Sequence, residues 1–159
     1  MSRGKVIVVT LNEPYPFGAV TGRWYYVLLK ELRRRGYQVR CLSVVTKEEW
    51  GELAQQAIAP FGIQLSLYPV SLNRNWLTRK WRTLRQPFSY TLSDALRRNL
   101  EAEVRNGYDV LHLEGLWSGY LSEGSEHRLV TVHHLGTLDL DRLKYRFNPR
   151  FTSSRQLTF

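Results

Sequence analysis

Five side chains and one backbone loop in this 159-residue chain are of the right type to do chemistry. The loop is Asn12-Glu-Pro-Tyr-Pro-Phe-Gly18-Ala19, in which Pro14, Pro16 and Gly18 break regular structure. A glycine at 18 would let the loop backbone approach a phosphate or a sugar closely, with the N–H groups of a following helix aimed at the same place. Glu114 could accept hydrogen bonds from hydroxyls or orient a nucleophile. His133 and His134 close an apolar run and can move a proton near neutral pH. His112 lies inside such a run, where a histidine is expected to be buried and hydrogen-bonded. Each of these has a structural reading as well: a turn for Gly18, a loop cap for Glu114, a satisfied ring for His112. Cys41 lies in a β-branched run and reads as a core thiol.

The elements that must position these groups alternate in type. Lys5–Leu11, Val39–Val45, Ile63–Tyr68, Asp109–Glu114 and Arg128–His133 read as strands, the first two with the β-branched habit of a strand buried on both faces. Between the first two, Trp24, Val27, Leu28 and Leu32 recur at helical spacing, and Gly36 suits a helix C-terminus at positive φ. Lys47–Phe61 is expected to be helical and closed by Pro60 and Gly62. Ser89–Asn106 carries Leu92, Leu96, Leu100 and Val104 at i+4 spacing and ends at Gly107. Trp117–Leu121 is expected to form a short turn or helix, and Leu135–Arg146 admits a helix.

This alternation predicts a doubly wound, Rossmann-like α/β fold of three layers with a parallel sheet of order 3-2-1-4-5. The winding then reverses between strands 1 and 4. The loops leaving strands 1, 4 and 5 converge there, bringing Gly18, Glu114 and His133 to one crevice. Residues 1–140 are expected to form this domain and 141–159 a basic tail.

The net charge of +9 is concentrated in two places. Residues 71–93 hold Arg74, Arg79, Lys80, Arg82 and Arg85 without an acid, and residues 142–159 hold five more cations without one. The remainder is close to neutral, which disfavours a diffuse nucleic-acid surface. In the first patch, a helix over Trp76–Arg85 would align Leu77, Trp81 and Leu84 in one stripe. Trp76, Arg79, Lys80, Trp81, Arg82 and Arg85 are thereby candidates for contact with an anionic membrane. A single cysteine excludes an intrachain disulfide. No run approaches the roughly 20 apolar residues of a membrane span, and the N-terminus does not read as a signal peptide. A cytoplasmic protein, peripheral on the membrane at most, is the expectation.

Several site classes fail on spacing. Gly18-Ala-Val-Thr-Gly22 is not G-x-G-x-x-G, and strand 2 ends in Val45-Thr46-Lys47 with no acid for a ribose. The chain contains neither a G-x-x-x-x-G-K-[ST] loop nor a G-x-S-x-G elbow. The adjacent His133-His134 pair, with no cysteine cluster, does not make a structural zinc site.

Four segments together resemble the N-terminal half of GT-B-fold glycosyltransferases, in particular the retaining group 1 (family 4) enzymes. They are Val6-Ile-Val-Val-Thr10 with Pro14-Tyr-Pro-Phe-Gly18; Leu29-Lys-Glu-Leu-Arg-Arg-Arg-Gly-Tyr-Gln-Val39; Tyr108-Asp-Val-Leu-His-Leu-Glu-Gly-Leu-Trp117; and Leu129-Val-Thr-Val-His133. The resemblance covers about Lys5 to Leu140. Where the family carries Gly-Gly this chain has Gly18-Ala19, and where the family has His-Asp or His-Asn it has His133-His134.

The resemblance implies transfer of a hexosyl group from a nucleotide-sugar to a glycan or lipid-linked acceptor, with no metal and no cofactor beyond that co-substrate. It places Gly18 and Ala19 near the donor phosphates and acceptor, His133 at the donor sugar as the catalytic residue, and Glu13, Glu114 and His134 on the acceptor side. The donor-binding half, with its E-x7-E carboxylates and basic pair, has no counterpart among the 159 residues. The expectation is a domain inactive alone, and a non-catalytic fragment or a basic binding module is the alternative.

Overall fold

The computed structural model describes residues 3–70, 92–115, 118, 121 and 127–131. Five strands form one parallel sheet: β1 (Lys5–Thr10), β2 (Gln38–Val45), β3 (Gln64–Pro69), β4 (Val110–Glu114) and β5 (Arg128–Thr131). Their order is β3-β2-β1-β4-β5, the doubly wound arrangement that the alternation of elements predicts. β1 and β4 are paired in register, Val8 opposite His112 and Val9 opposite Leu113, so the switch point lies between them.

Helices α1 (Val20–Arg34) and α2 (Glu48–Ile58) pack on one face, and α3 (Asp94–Arg105) on the other. Alternation along the strands feeds both cores. Val6, Val8, Val39 and Cys41 meet Leu29 and Ile58 under the first two helices. Ile7, Val9, Leu42, Val44, Leu111 and Leu113 meet Leu96 and Leu100 of α3.

Two expected boundaries shift, and α1 turns a different set of residues inward than its apolar spacing suggests, each for a local reason. The third helix begins at Asp94, not at Ser89, because Ser93 caps it: its Oγ accepts the Leu96 N–H at 3.2 Å. Leu92 is buried in the core just ahead of that cap. The second helix stops at Ile58, and a 3-10 turn over Ala59–Phe61 contains Pro60, which has no N–H to continue an α-helical ladder. Gly62 follows at φ 63°.

The difference on α1 concerns a face. Trp24 and Val27 do not point at the sheet; they are 47% and 55% exposed. Gly22, Tyr25 and Leu29, at i, i+3 and i+7, form the inward line of α1, with Leu28 and Leu32 at its border. Gly36, just past that helix, has φ +88° as its position requires.

At the amino edge of the sheet, Glu103 of α3 holds two strands at once. It accepts from Lys5 Nζ at 2.9 Å and from Arg40 Nε at 2.6 Å. At the carboxyl edge the Val70 N–H bonds to the Val45 carbonyl at 3.0 Å, fixing the chain as it leaves β3. Segments 71–91 and 132–159 lie outside the described residues, and with them the expected Trp76–Arg85 stripe, His133, His134 and the tail.

Candidate functional site

The carboxyl ends of β1 and β4 carry the residues that the sequence singles out and that the structure describes. The loop after β1 is stapled on three sides. Asn12 donates from Nδ2 to Thr21 Oγ1 at 2.8 Å, tying the loop to the first turn of α1. The Asn12 carbonyl accepts from Ser43 Oγ at 3.0 Å, tying it to β2. The Glu13 carboxylate accepts from both the backbone N–H and the hydroxyl of Thr46, the latter at 2.8 Å. Glu13 is only 4% exposed. In this conformation its carboxylate is a strut between two loops.

Gly18 does not need to be glycine. It lies outside the positive-φ region, and a Cβ there would meet Tyr15 at 3.5 Å, an ordinary contact. The close approach expected at Gly18 occurs four residues later. A Cβ on Gly22 would lie 2.5 Å from the Glu13 carbonyl oxygen. Gly22 is therefore what lets α1 sit against the loop, a role not assigned to it from the sequence; the signal that could have found it is the G-x-x-x-G spacing with Gly18. Ala19 is exposed and precedes α1 without a side-chain cap, and the first turn of that helix contains no acid. The positive end of α1 thus faces the loop without local neutralisation.

β4 supplies the second wall. Gly115 turns the chain at φ +87°, and its N–H bonds to the Thr131 carbonyl at 2.8 Å. It presses on Leu11, whose Cδ1 would lie 2.8 Å from a Cβ at 115. Ser118 donates its hydroxyl to the Gly115 carbonyl at 2.8 Å, which closes the turn.

Beneath this turn lies a buried polar cluster. Glu114 is fully buried and His112 is 8% exposed. His112 Nε2 is 2.7 Å from Thr131 Oγ1 on β5 and 2.7 Å from Glu114 Oε1. Thr131 can rotate its hydroxyl to suit either histidine tautomer. His112 is thus the hydrogen-bonded buried ring that its mid-strand position implies. Glu114 presents no surface to an acceptor in this conformation; it sits in a shared polar cluster on the α1 side of the sheet. Tyr25, from the inward line of α1, belongs to the same region. Its phenol is pushed above the ordinary tyrosine range, first by burial and then by Glu114 and Cys41. The Cys41 thiol is pushed up to about 12, chiefly by burial, with Thr10 and Arg40 opposing.

An open hollow of ≈ 440 Å³ lies elsewhere, lined by Arg40, Gln55, Ile58, Gln64 and Glu103 among others. Its charged groups are bonded to one another, and it sits at the amino edge of the sheet, away from the switch point. The carboxyl edge has the better claim because open α/β sheets bind ligands there. No group of three or more potential metal-ligating side chains occurs among the described residues. None of the described helices is long and apolar enough to cross a membrane.

No family model and no curated protein matches the chain. Two solved structures of the C-terminal domain of the PF1911 hydrogenase from Pyrococcus furiosus are similar in outline. One is 13% identical over 84% of this chain and 94% of that one, with a TM-score of 0.48. The other is 15% identical over 83% and 92%, with a TM-score of 0.47. At these values the likeness decides nothing about activity, and the α/β assignment stands on the chain's own strand pairing.

Proposed function

We propose that this domain is the acceptor-side wall of a glycosyltransferase cleft. The reaction would move a hexosyl group from a nucleotide-sugar to a glycan or lipid-linked acceptor. The observation that carries the reading is the stapled Asn12–Ala19 loop, which leaves β1 beside the Gly115 turn of β4 at the switch point. A fixed backbone loop next to an uncapped helix N-terminus suits a ligand that mixes hydroxyls and phosphates. In this reading the loop holds the acceptor near the donor phosphates, and His133, two residues beyond Thr131, faces the donor sugar. The acceptor oxygen bonds to the sugar's anomeric carbon as that carbon's bond to the diphosphate breaks. The diphosphate leaves with the electron pair and takes the acceptor's proton. Glu13, Glu114 and His112 act here as positioning residues, since none offers an open polar surface.

Backbone amide NMR tests the reading. The chain is titrated separately with neutral glycosides, a polyprenyl-phosphate sugar and nucleoside diphosphates. Saturable shifts at Asn12–Ala19 and Gly115 with a sugar-bearing ligand are expected. Titrations that leave those amides unmoved by every sugar ligand would rule the reading out.

A further inference from the structure

The outer side of α1 carries an exposed apolar stripe. Val20, Trp24 and Val27 follow one another at i, i+4 and i+7, and Phe17 continues the line from the loop. They are 73%, 47%, 55% and 85% exposed, whereas Tyr25 and Leu29 on the opposite side are fully or almost fully buried. Single exposed apolar residues are ordinary on protein surfaces; three at helical spacing on one side of α1, with Phe17 in the loop just before it, are a stronger signal.

The charges around the stripe are mostly positive. α1 holds Arg23, Lys30, Arg33 and Arg34 against a single acid, Glu31. Arg33 donates to the Phe61 and Tyr37 carbonyls and Lys30 lies over the Phe61 ring, which leaves Arg23 and Arg34 nearest the stripe. Glu31 is engaged by Arg34 at 2.7 Å and by Arg35 at 2.8 Å. An apolar stripe flanked by cations is the pattern of a helix that lies in the headgroup region of an anionic bilayer, with aromatic rings among the acyl carbons and arginines on phosphates. A second copy of the chain is a poorer occupant, because self-complementary packing of this face would bring the two cationic flanks together.

We propose that the outer face of α1, with Phe17 at its tip, is a docking surface for anionic lipid. The stripe begins at the same loop that borders the switch-point crevice, so docking sets that crevice close to the lipid plane. This surface is distinct from the basic 71–85 segment. It stands without the sugar-transfer reading, because lipid binding requires no sugar ligand.

The test is co-sedimentation of the full chain with phosphatidylcholine vesicles, with and without phosphatidylglycerol, at low and high salt. The wild type is expected to bind the phosphatidylglycerol vesicles and to be released by salt. Phe17→Ser and Phe17→Ser/Trp24→Ser are expected to bind about tenfold more weakly or worse, with unchanged far-UV circular dichroism. Arg23→Glu is expected to lose the preference for anionic lipid.

Wild-type affinity in the Phe17 variants, or binding lost only in Arg79→Glu/Lys80→Glu, would overturn the proposal. So would a wild-type dimer in sedimentation velocity that the Phe17→Ser/Trp24→Ser variant dissociates, which would assign the face to a second copy. A double variant that melts lower yet keeps its lipid affinity would assign the face to packing within the chain and equally overturn it.

Discussion

Replacing Gly22 by alanine sets two effects of opposite sign against each other. Alanine in place of a helical glycine gains about 1 kcal/mol of propensity. Against that, the new Cβ would stand 2.5 Å from the Glu13 carbonyl oxygen, where real Cβ contacts essentially never fall below 3.0 Å. Helix or loop must therefore retreat by roughly half an ångström or more. The loop is badly placed to yield, because Glu13 is bonded to Thr46 and Asn12 to both Thr21 and Ser43. Forcing a carbon into such a contact costs about 1–3 kcal/mol, towards the upper end when the obstacle is backbone. The clash wins, and Gly22→Ala should be less stable by about 1–2 kcal/mol. For a domain of this size the melting temperature should fall by about 2–8 °C. Urea and thermal unfolding followed by circular dichroism give both quantities. Gly18→Ala is the control: its Cβ meets Tyr15 at an ordinary 3.5 Å, and its stability should stay within about 0.5 kcal/mol of wild type. A Gly22→Ala variant as stable as wild type, or a Gly18→Ala variant equally damaged, would refute the reasoning.

Two further outcomes follow from the ionisable groups. Burial alone would raise the Glu103 carboxyl, but hydrogen bonds from Lys5 and Arg40 outweigh it and hold the group below the usual glutamate range. A folded-state pKa below the unfolded one contributes stability above the ordinary value and loses it as pH falls through the folded value. Glu103→Gln should therefore cost about 1 kcal/mol at neutral pH, with the gap to wild type closing in acid. A gap that stays constant down to strong acid would contradict this. Cys41 is fully buried with its thiol pushed up to about 12. A thiol reagent should label it only as fast as the domain unfolds, and rapid labelling of the native protein would show the strand to be open.

The strands were legible because β-branched runs bounded by glycine and proline leave few other options, and the strand order follows from the crossovers. The capped start of α3 was harder to see: Leu92 continues the i+4 leucine pattern, yet Ser93 cuts in between as the cap. On α1 the apolar spacing does not mark the inward line, because Trp24 and Val27 are more hydrophobic than Gly22 and Tyr25. What set that face was a missing side chain, and hydropathy does not register where a helix needs to come close. The same cause moved the critical glycine from 18 to 22. His112 read correctly because a polar ring in mid-strand must find a partner, here Thr131 from the neighbouring strand. The burial of Glu13 and Glu114 was not readable, since it depends on Thr46 and on β5, distant in sequence.

The bond from Val70 to Val45 and the burial of Leu92 anchor the chain at two fixed points. Everything between them, residues 71–91, is a span whose two ends the sheet and α3 already hold. Lengthening such a span costs little, only about 0.6 kcal/mol for each doubling. Val70 and Leu92 are therefore the junctions to use when a segment of another length is joined between β3 and α3.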